Sequence, residues 1–290
     1  MNLFLTYCCD ASYLPYAEKL FSSLEKNSNI KILFYTIDFD YEINFKNVIH
    51  KKLNCIDIKN KYLNLAQEKL PLLIKSLVCL DALESFDCDF CFLDADVVAI
   101  KNCNLIFNHV KNLNYCPIVN KWFNDFFIYG EKGNPFAGER INLENTLEGP
   151  YLKYLGVDVN KRKEIYRLAN CFIFNRKNLN FFQEWRNLCF NHEVLNLLNT
   201  IAPSPVPEET LLNTLLFKYD CDDSFMSLVN FAWSEQDNLF FDEYKKERSN
   251  GYFYKDNSFW LLPNDKQKKE IYFFHGKCQQ FSYDYIINNF

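Results

Sequence analysis

Residues 90–98 read Phe90-Cys91-Phe92-Leu93-Asp94-Ala95-Asp96-Val97-Val98, an apolar run followed by two aspartates and a second apolar run. An apolar run without helical spacing predicts a strand buried on both faces, as in a parallel sheet covered by helices. Because side chains alternate along a strand, Asp94 and Asp96 should project to the same side. Bare carboxylates are costly to bury in an apolar core, so we expect them at the carboxyl edge of the sheet, where α/β proteins bind ligands.

Strand and helix patterns alternate over the first part of the chain. Strands are predicted at 3–9 and 30–37, with a short third strand at 55–58, and helices are predicted at 15–26 and 70–85. This alternation is typical of βαβ units. The fold class is therefore α/β, with a mostly parallel central sheet flanked by helices.

The composition is that of a globular protein of 290 residues, with 49% hydrophobic and 24% charged residues. A net charge of −5 and the lack of a basic block argue against a nucleic-acid partner. The amino terminus lacks a charged n-region, and no apolar run approaches the roughly 20 residues that span a bilayer. We therefore expect a cytoplasmic protein whose 12 cysteines are reduced, most of them acting as small buried hydrophobes.

The two aspartates are candidates for a metal site. A hard divalent cation, Mn²⁺ or Mg²⁺, prefers carboxylate oxygens and takes ligand phosphates to complete its shell, which would compensate the charges of Asp94 and Asp96. The alternative is a strand that ends in a solvated acidic turn, because two aspartates at this spacing are common by chance.

Asp94-Ala95-Asp96 resembles the Asp-x-Asp motif of nucleotide-sugar glycosyltransferases with the Rossmann-like GT-A fold. The stretch from Tyr7 to Tyr13 is similar to the first strand and loop of the retaining GT-A enzymes related to lipopolysaccharide galactosyltransferases and glycogenin. The resemblance implies that Asp10 and Tyr13 hold the nucleoside, with Thr6 and Tyr7 close by. A helix N-cap at Asp10 or Ser12 explains the same residues equally well locally. The remaining donor-binding residues that the resemblance implies are Lys75, where the family usually has an arginine, Asp94 and Lys277.

Three later segments extend the resemblance. The strand predicted at 168–176 carries Asn170 where the family brings a small or amide residue to the donor sugar. Glu208 and Glu209 begin a helix and match an acidic-polar pair beneath the anomeric carbon, although acidic residues also suit any helix N-terminus. His275-Gly276-Lys277 resembles the family's terminal metal and diphosphate segment. The implied metal ligands are Asp94, Asp96 and His275, and the implied catalytic residues are Glu209, Glu208 and Asn170.

The resemblance implies one catalytic domain over 1–290, with a nucleotide-binding half at 1–103 and an acceptor-side half at 104–290. The second half includes a loop-rich insertion at 120–160, since five of the seven glycines fall between residues 130 and 156. The expected reaction is metal-dependent transfer of a sugar from a nucleotide-diphosphate donor, a UDP-sugar, to a glycan or lipid-linked surface-polysaccharide acceptor.

Several alternatives remain open from the sequence. Retention of the anomeric configuration follows only from the resemblance, and an inverting enzyme could use Glu209 as its base. A sugar-nucleotide nucleotidyltransferase would share this kind of sheet but usually has a glycine-rich amino-terminal loop, and residues 1–100 contain no glycine. A non-catalytic nucleotide- or glycan-binding protein would bind metal without turnover. The basic stretch 245–269 is either solvated or touches an anionic membrane surface, which would make the protein peripheral at the inner membrane.

Overall fold

The computed structural model of the chain describes residues 1–61, 69–121, 149–159, 167–201, 206–221, 231–233, 251–255, 258–262, 269–270 and 272–275. Lys277, residues 122–148 and 160 of the insertion predicted at 120–160, and most of the basic stretch 245–269 lie outside the described residues.

A six-stranded sheet forms the centre of the protein, in the order β3-β2-β1-β4-β7-β6. Strands β3, β2, β1 and β4 run parallel to one another, and β7 is antiparallel to both of its neighbours. The mostly parallel α/β sheet predicted from the sequence is therefore confirmed. Its strands are β1 (Asn2–Cys8), β2 (Lys31–Ile37), β3 (Val48–Leu53), β4 (Asp89–Leu93), β6 (Ile118–Lys121) and β7 (Arg167–Phe174).

Helices cover both faces of this sheet. Pro15, Pro71 and Pro207 each stand in the first turn of a helix, where the missing N–H costs no hydrogen bond. The helix predicted at 70–85 has those bounds in the structure. The helices are α1 (Leu14–Asn27), α2 (Ile56–Lys61), α3 (Leu70–Ser85), α4 (Gly149–Tyr154), α5 (Leu179–Cys189), α6 (His192–Asn196) and α7 (Pro207–Lys218).

The core is divided by the sheet into two clusters. On β4, Phe90 and Phe92 face the cluster that includes α3, α5 and α7, whereas Cys91 and Leu93 face the cluster that includes α1. This alternation is what the period of a strand dictates, and burial on both faces explains why the run is apolar throughout. The next residue along, Asp94, is therefore the first that can reach the open edge.

Two three-stranded sheets accompany the central one. The first has the order β5-β12-β8, formed by β5 (Val97–Ala99), β8 (Phe231–Trp233) and β12 (Phe273–His275). The second is antiparallel, with the order β11-β10-β9, formed by β9 (Gly251–Lys255), β10 (Ser258–Leu262) and β11 (Lys269–Glu270). The chain leaves the central sheet after Leu93 and joins a different sheet at Val97. The two aspartates lie in the turn between these sheets, which is why they interrupt the apolar run at 90–98.

The short strand predicted at 55–58 is wrong. The third strand is β3, and α2 begins at Ile56. Its first turn is capped, because Asn54 Oδ1 accepts a hydrogen bond from the Ile56 amide at 3.1 Å. β3 is an edge strand of mostly half-exposed residues, and three of its six residues are polar, so it lacks the continuous apolar signal that predicts a buried strand.

The expectation that the thiols are reduced is wrong for one pair. Cys116, just before β6, and Cys221, after α7, form a disulfide. The nine other cysteines in the described part of the chain are free, and eight of them are buried, as expected for small hydrophobes. Among the described residues, no helix combines the length and apolar character needed to cross a membrane.

Candidate metal and donor site

The turn between β4 and β5 places two aspartates side by side at the carboxyl edge of the central sheet. The Asp94 amide donates to the Asn170 carbonyl at 3.1 Å, and the Val97 amide donates back to the Asp94 carbonyl at 3.1 Å. These bonds fix the backbone on both sides of Asp96. The carboxylates remain partly open, with 24% of the Asp94 side chain and 17% of the Asp96 side chain exposed.

His275 completes the cluster from the far end of the chain. It is the last residue of β12 and pairs with Val97 of β5, which brings it beside the aspartates. Its Nε2 lies 3.5 Å from Asp94 Oδ2 and 3.3 Å from Asp96 Oδ1. One ligand atom from each residue lies within 4.8 Å of the others. Two carboxylate oxygens and an imidazole nitrogen at this separation are a donor set that fits Mn²⁺ or Mg²⁺.

The charge state of His275 is set by its acidic neighbours. Burial opposes a charged imidazolium, but the Asp96 and Asp94 carboxylates outweigh that effect and raise the pKa of His275 to about 10. Asn170 Nδ2 lies 3.5 Å from the other ring nitrogen, Nδ1. The predicted metal ligands are thus brought together by the structure, with the amide of Asn170 behind the histidine.

Lys75 lies below Asp94 rather than at the surface. Only 4% of its side chain is exposed, and its Nζ contacts Asp94 Oδ1 at 2.9 Å, the Ala169 carbonyl at 2.9 Å and Glu208 Oε1 at 3.4 Å. Burial opposes its charge, but Asp94 and Glu208 outweigh that effect, so the pKa of Lys75 is raised. Burial likewise opposes the ionised form of Asp94, and the Lys75 ammonium holds the pKa of that carboxyl below its usual value.

Glu208 is buried at the start of α7. One carboxylate oxygen, Oε1, faces Lys75, and the other, Oε2, has no hydrogen-bond partner among the described residues. Burial raises the pKa of Glu208, although Lys75 opposes the shift. The backbone here is fixed because the Trp185 indole donates to the Glu208 carbonyl at 3.0 Å. An unsatisfied buried carboxylate oxygen is rare in proteins and is available to a ligand's donor group.

Glu209 and Asn213, one turn apart on α7, bind the buried backbone of β7 where β4 does not pair with it. Glu209 Oε2 accepts from the Ala169 amide at 2.7 Å. Asn213 Oδ1 accepts from the Arg167 amide at 2.9 Å, and its Nδ2 donates to the Arg167 carbonyl at 2.8 Å. These side chains satisfy the edge of β7 beyond the end of β4, which pairs only with residues 171–174.

The residues predicted to bind the nucleoside differ in how far they are buried. Asp10 is exposed and accepts from the Ser12 amide at 2.7 Å, a hydrogen bond that lowers the pKa of its carboxyl. Tyr13 follows in the same turn and is half-buried. Thr6 is buried on β1, and the Tyr7 hydroxyl donates to the Pro71 carbonyl at 3.0 Å. Asp10 is therefore the exposed member of this group, Tyr7 and Tyr13 are half-buried, and Thr6 is buried.

The backbone of Ala169 is the part of the site that the sequence did not indicate. Its carbonyl accepts from Lys75 and its amide donates to Glu209. Main-chain atoms carry no residue-type signal, so no sequence pattern could have identified them.

Two solved structures share this architecture over almost the whole chain. Mouse xyloside xylosyltransferase 1 in its apo form matches with a TM-score of 0.55 at 9% identity, covering 96% of this chain and 98% of that one. An active-site mutant of LgtC matches with a TM-score of 0.53 at 14% identity, covering 99% of this chain and 94% of that one. A scan against protein-family models and a search of curated proteins found no match. The chain therefore has the GT-A glycosyltransferase fold that the motifs predicted.

Proposed function

We propose that this chain is a metal-dependent glycosyltransferase that takes a sugar from a nucleoside-diphosphate donor. One observation carries the proposal: Asp94 and Asp96 meet His275, which lies 179 residues beyond Asp96, at the carboxyl edge of a GT-A sheet. Mn²⁺ or Mg²⁺ bound by these three residues would stabilise the charge that develops on the leaving diphosphate. The carboxyl edge of the sheet is the place where α/β folds receive such ligands.

The chain's own residues then divide the work of binding the donor. Asp10 and Tyr13 bind the nucleoside, with Thr6 and Tyr7 supporting the first strand behind them. Lys277 pairs with the diphosphate; it lies outside the described residues, and this role rests on the resemblance of the His-Gly-Lys segment alone. Lys75 was predicted as a further donor ligand, and a positioning role is argued for it below.

Glu208, Glu209 and Asn170 face the transferred sugar in this proposal. The two glutamates contribute differently, because Glu208 has an unbonded buried oxygen that can accept from a sugar hydroxyl. Glu209 already holds the Ala169 amide, so its contribution is negative charge near an oxocarbenium-like transition state.

The finer assignment follows the family resemblance. The donor is a UDP-sugar, the acceptor is a glycan or a lipid-linked surface polysaccharide, and transfer retains the anomeric configuration. The protein works as a single domain in the cytoplasm, with the basic stretch 245–269 against the inner membrane surface. NMR of the product's anomeric proton distinguishes retention from inversion.

A donor screen tests the proposal directly. Thermal unfolding is followed for the full chain with Mn²⁺ and each of a panel of nucleotide-sugars, and nucleoside diphosphate release is then measured for the donor that stabilises most. We expect one UDP-sugar to stabilise the protein and UDP to be released, slowly without acceptor and faster with it. Stabilisation without any UDP release would identify a binding protein instead. Release of pyrophosphate from a nucleoside triphosphate would identify a nucleotidyltransferase.

A further inference from the structure

The ammonium of Lys75 is fully occupied by the protein. A lysine has three N–H donors, and Lys75 Nζ has three acceptors within 3.4 Å: Asp94 Oδ1, the Ala169 carbonyl and Glu208 Oε1. It also lies 5.1 Å from the centre of the Phe92 ring. To reach a donor's phosphate it would have to give up at least one of these contacts in a buried place, which is costly for an ion.

The two carboxylate oxygens of Asp94 have different partners, Lys75 and His275. Oδ1 is held by Lys75 at 2.9 Å, and this leaves Oδ2 directed at the cluster, 3.5 Å from His275 Nε2. A carboxylate held by one oxygen cannot rotate freely, so Lys75 determines which oxygen Asp94 offers to a cation. Partners behind a metal ligand have this orienting effect in metalloproteins generally.

Glu208 shares the same ammonium. Lys75, on α3, contacts both Asp94 and Glu208, which lies on α7. It therefore holds the two acids in a fixed relation across the site. Lys75 also donates to the Ala169 carbonyl, so its ammonium contacts β7 as well. One buried cation thus joins the candidate metal ligand Asp94 to the acid proposed to face the sugar.

We propose that Lys75 is a positioning residue, which orients Asp94 for metal binding and fixes Glu208, and which makes no contact with the donor's diphosphate. This inference rests on the proposed function. Two other roles predict different results. A lysine that binds the diphosphate contributes to nucleotide affinity without metal. A lysine that acts only as a nearby positive charge repels the metal, so its removal strengthens metal binding.

Lys75→Met separates these roles, because methionine keeps an unbranched side chain and removes the charge and the donors. Two affinities are measured on the full chain: that for Mn²⁺ without nucleotide, from the electron paramagnetic resonance signal of free Mn²⁺, and that for UDP in excess chelator, by calorimetry. We expect Mn²⁺ affinity to fall 10–100-fold, as for other residues behind metal ligands, and metal-free UDP affinity to stay within about twofold. Unchanged or stronger Mn²⁺ binding, or a tenfold loss of metal-free UDP affinity, would overturn the inference.

Lys51→Met is the matched control. Lys51 forms an ion pair with Asp81. Asp81 lies on α3, the helix that carries Lys75, but away from the metal cluster. Lys51→Met should leave both affinities unchanged. If Lys75→Met fails to fold, the double variant Lys75→Met with Glu208→Gln removes a buried anion together with the cation, and the same loss of Mn²⁺ affinity is expected. Failure of the unaltered protein to bind Mn²⁺ would instead refute the proposed function.

Discussion

Asp94 and Glu209 are acidic side chains of one site that the fold uses in opposite ways. Asp94 is partly exposed, with one oxygen on Lys75 and the other directed at the candidate metal cluster. Glu209 is buried, and its Oε2 accepts a hydrogen bond from the Ala169 amide. A carboxylate in a functional motif can therefore serve either the ligand or the backbone. Neutralising the charge should reduce transfer most at Asp94, and removing the acceptor oxygen should reduce the free energy of unfolding most at Glu209.

The largest effect is expected from Asp94→Asn combined with Asp96→Asn. The amide oxygens keep the shape of the turn but bind a hard cation poorly, so Mn²⁺-dependent transfer should fall by roughly 10²–10³-fold or more. The free energy of unfolding should stay within about 1–2 kcal/mol of that of the unaltered protein. Donor turnover and chemical denaturation are measured on the same preparation.

Asp81→Asn is the control for that double variant, because Asp81 is an acid paired with a lysine, Lys51, outside the cluster. It should leave turnover unchanged. Undiminished transfer after both aspartates of the cluster are replaced would show that Asp94 serves the fold as Glu209 does, and the contrast between the two acids would be lost.

The next effect concerns pH and His275. Its pKa is raised to about 10 in the metal-free fold from an ordinary value of 6.5, so the stabilisation from its contacts with Asp94 and Asp96 is complete below pH 6.5 and is lost as the pH rises through about 10. A metal needs the neutral imidazole and must displace the proton. Mn²⁺ affinity should therefore rise by about tenfold per pH unit between pH 7 and 9.

Calorimetry in buffers of different ionisation enthalpy counts the protons released on Mn²⁺ binding, and about one per metal is expected at pH 7.5. His275→Asn should abolish that release and weaken Mn²⁺ binding. A pH-independent Mn²⁺ affinity in the unaltered protein would exclude His275 from the metal's ligands.

A smaller effect is expected when the two α7 glutamates are compared. Glu209→Gln keeps an oxygen for the Ala169 amide, so the free energy of unfolding should change by less than about 1 kcal/mol, whereas Glu209→Ala leaves a buried amide unpaired and should cost about 1–3 kcal/mol. Glu208→Gln should reduce transfer by about 10²-fold and Glu209→Gln by about tenfold, because only Glu208 has an oxygen free for the sugar. Equal stability of Glu209→Gln and Glu209→Ala would contradict the backbone role.

Local patterns explain which parts of the fold and site could be predicted from the sequence. The apolar run before Asp94 identified β4 and the sheet edge, and the spacing of apolar residues gave α3 its bounds. His275 was found from its place at the end of a strand and its resemblance to a family motif. Each of these signals is contained within a few neighbouring residues.

The contacts that decide what each residue does are long-range and were not predictable. Lys75 meets the Ala169 carbonyl 94 residues away and Glu208 133 residues away, so its enclosure depends on how α3, β7 and α7 pack. β3 was missed because a half-exposed edge strand with three polar residues among six gives a weak signal. The transfer of the chain from β4 into a second sheet likewise depends on β12, which follows 174 residues after Ala99.

Asp10 extends the comparison to an acid that serves a turn and remains exposed. Its carboxylate accepts from the Ser12 amide, and asparagine is an equally good cap, so Asp10→Asn should leave thermal unfolding unchanged. The substitution removes a charge that is already well solvated, and we expect UDP affinity to fall by only about three- to tenfold. Ser12→Ala is the control, because it keeps the amide that Asp10 binds. If Asp10→Asn lowered UDP affinity by 10²-fold with an unaltered melting temperature, the exposed acid would be the main determinant of nucleotide binding. The metal cluster would then contribute less to that binding.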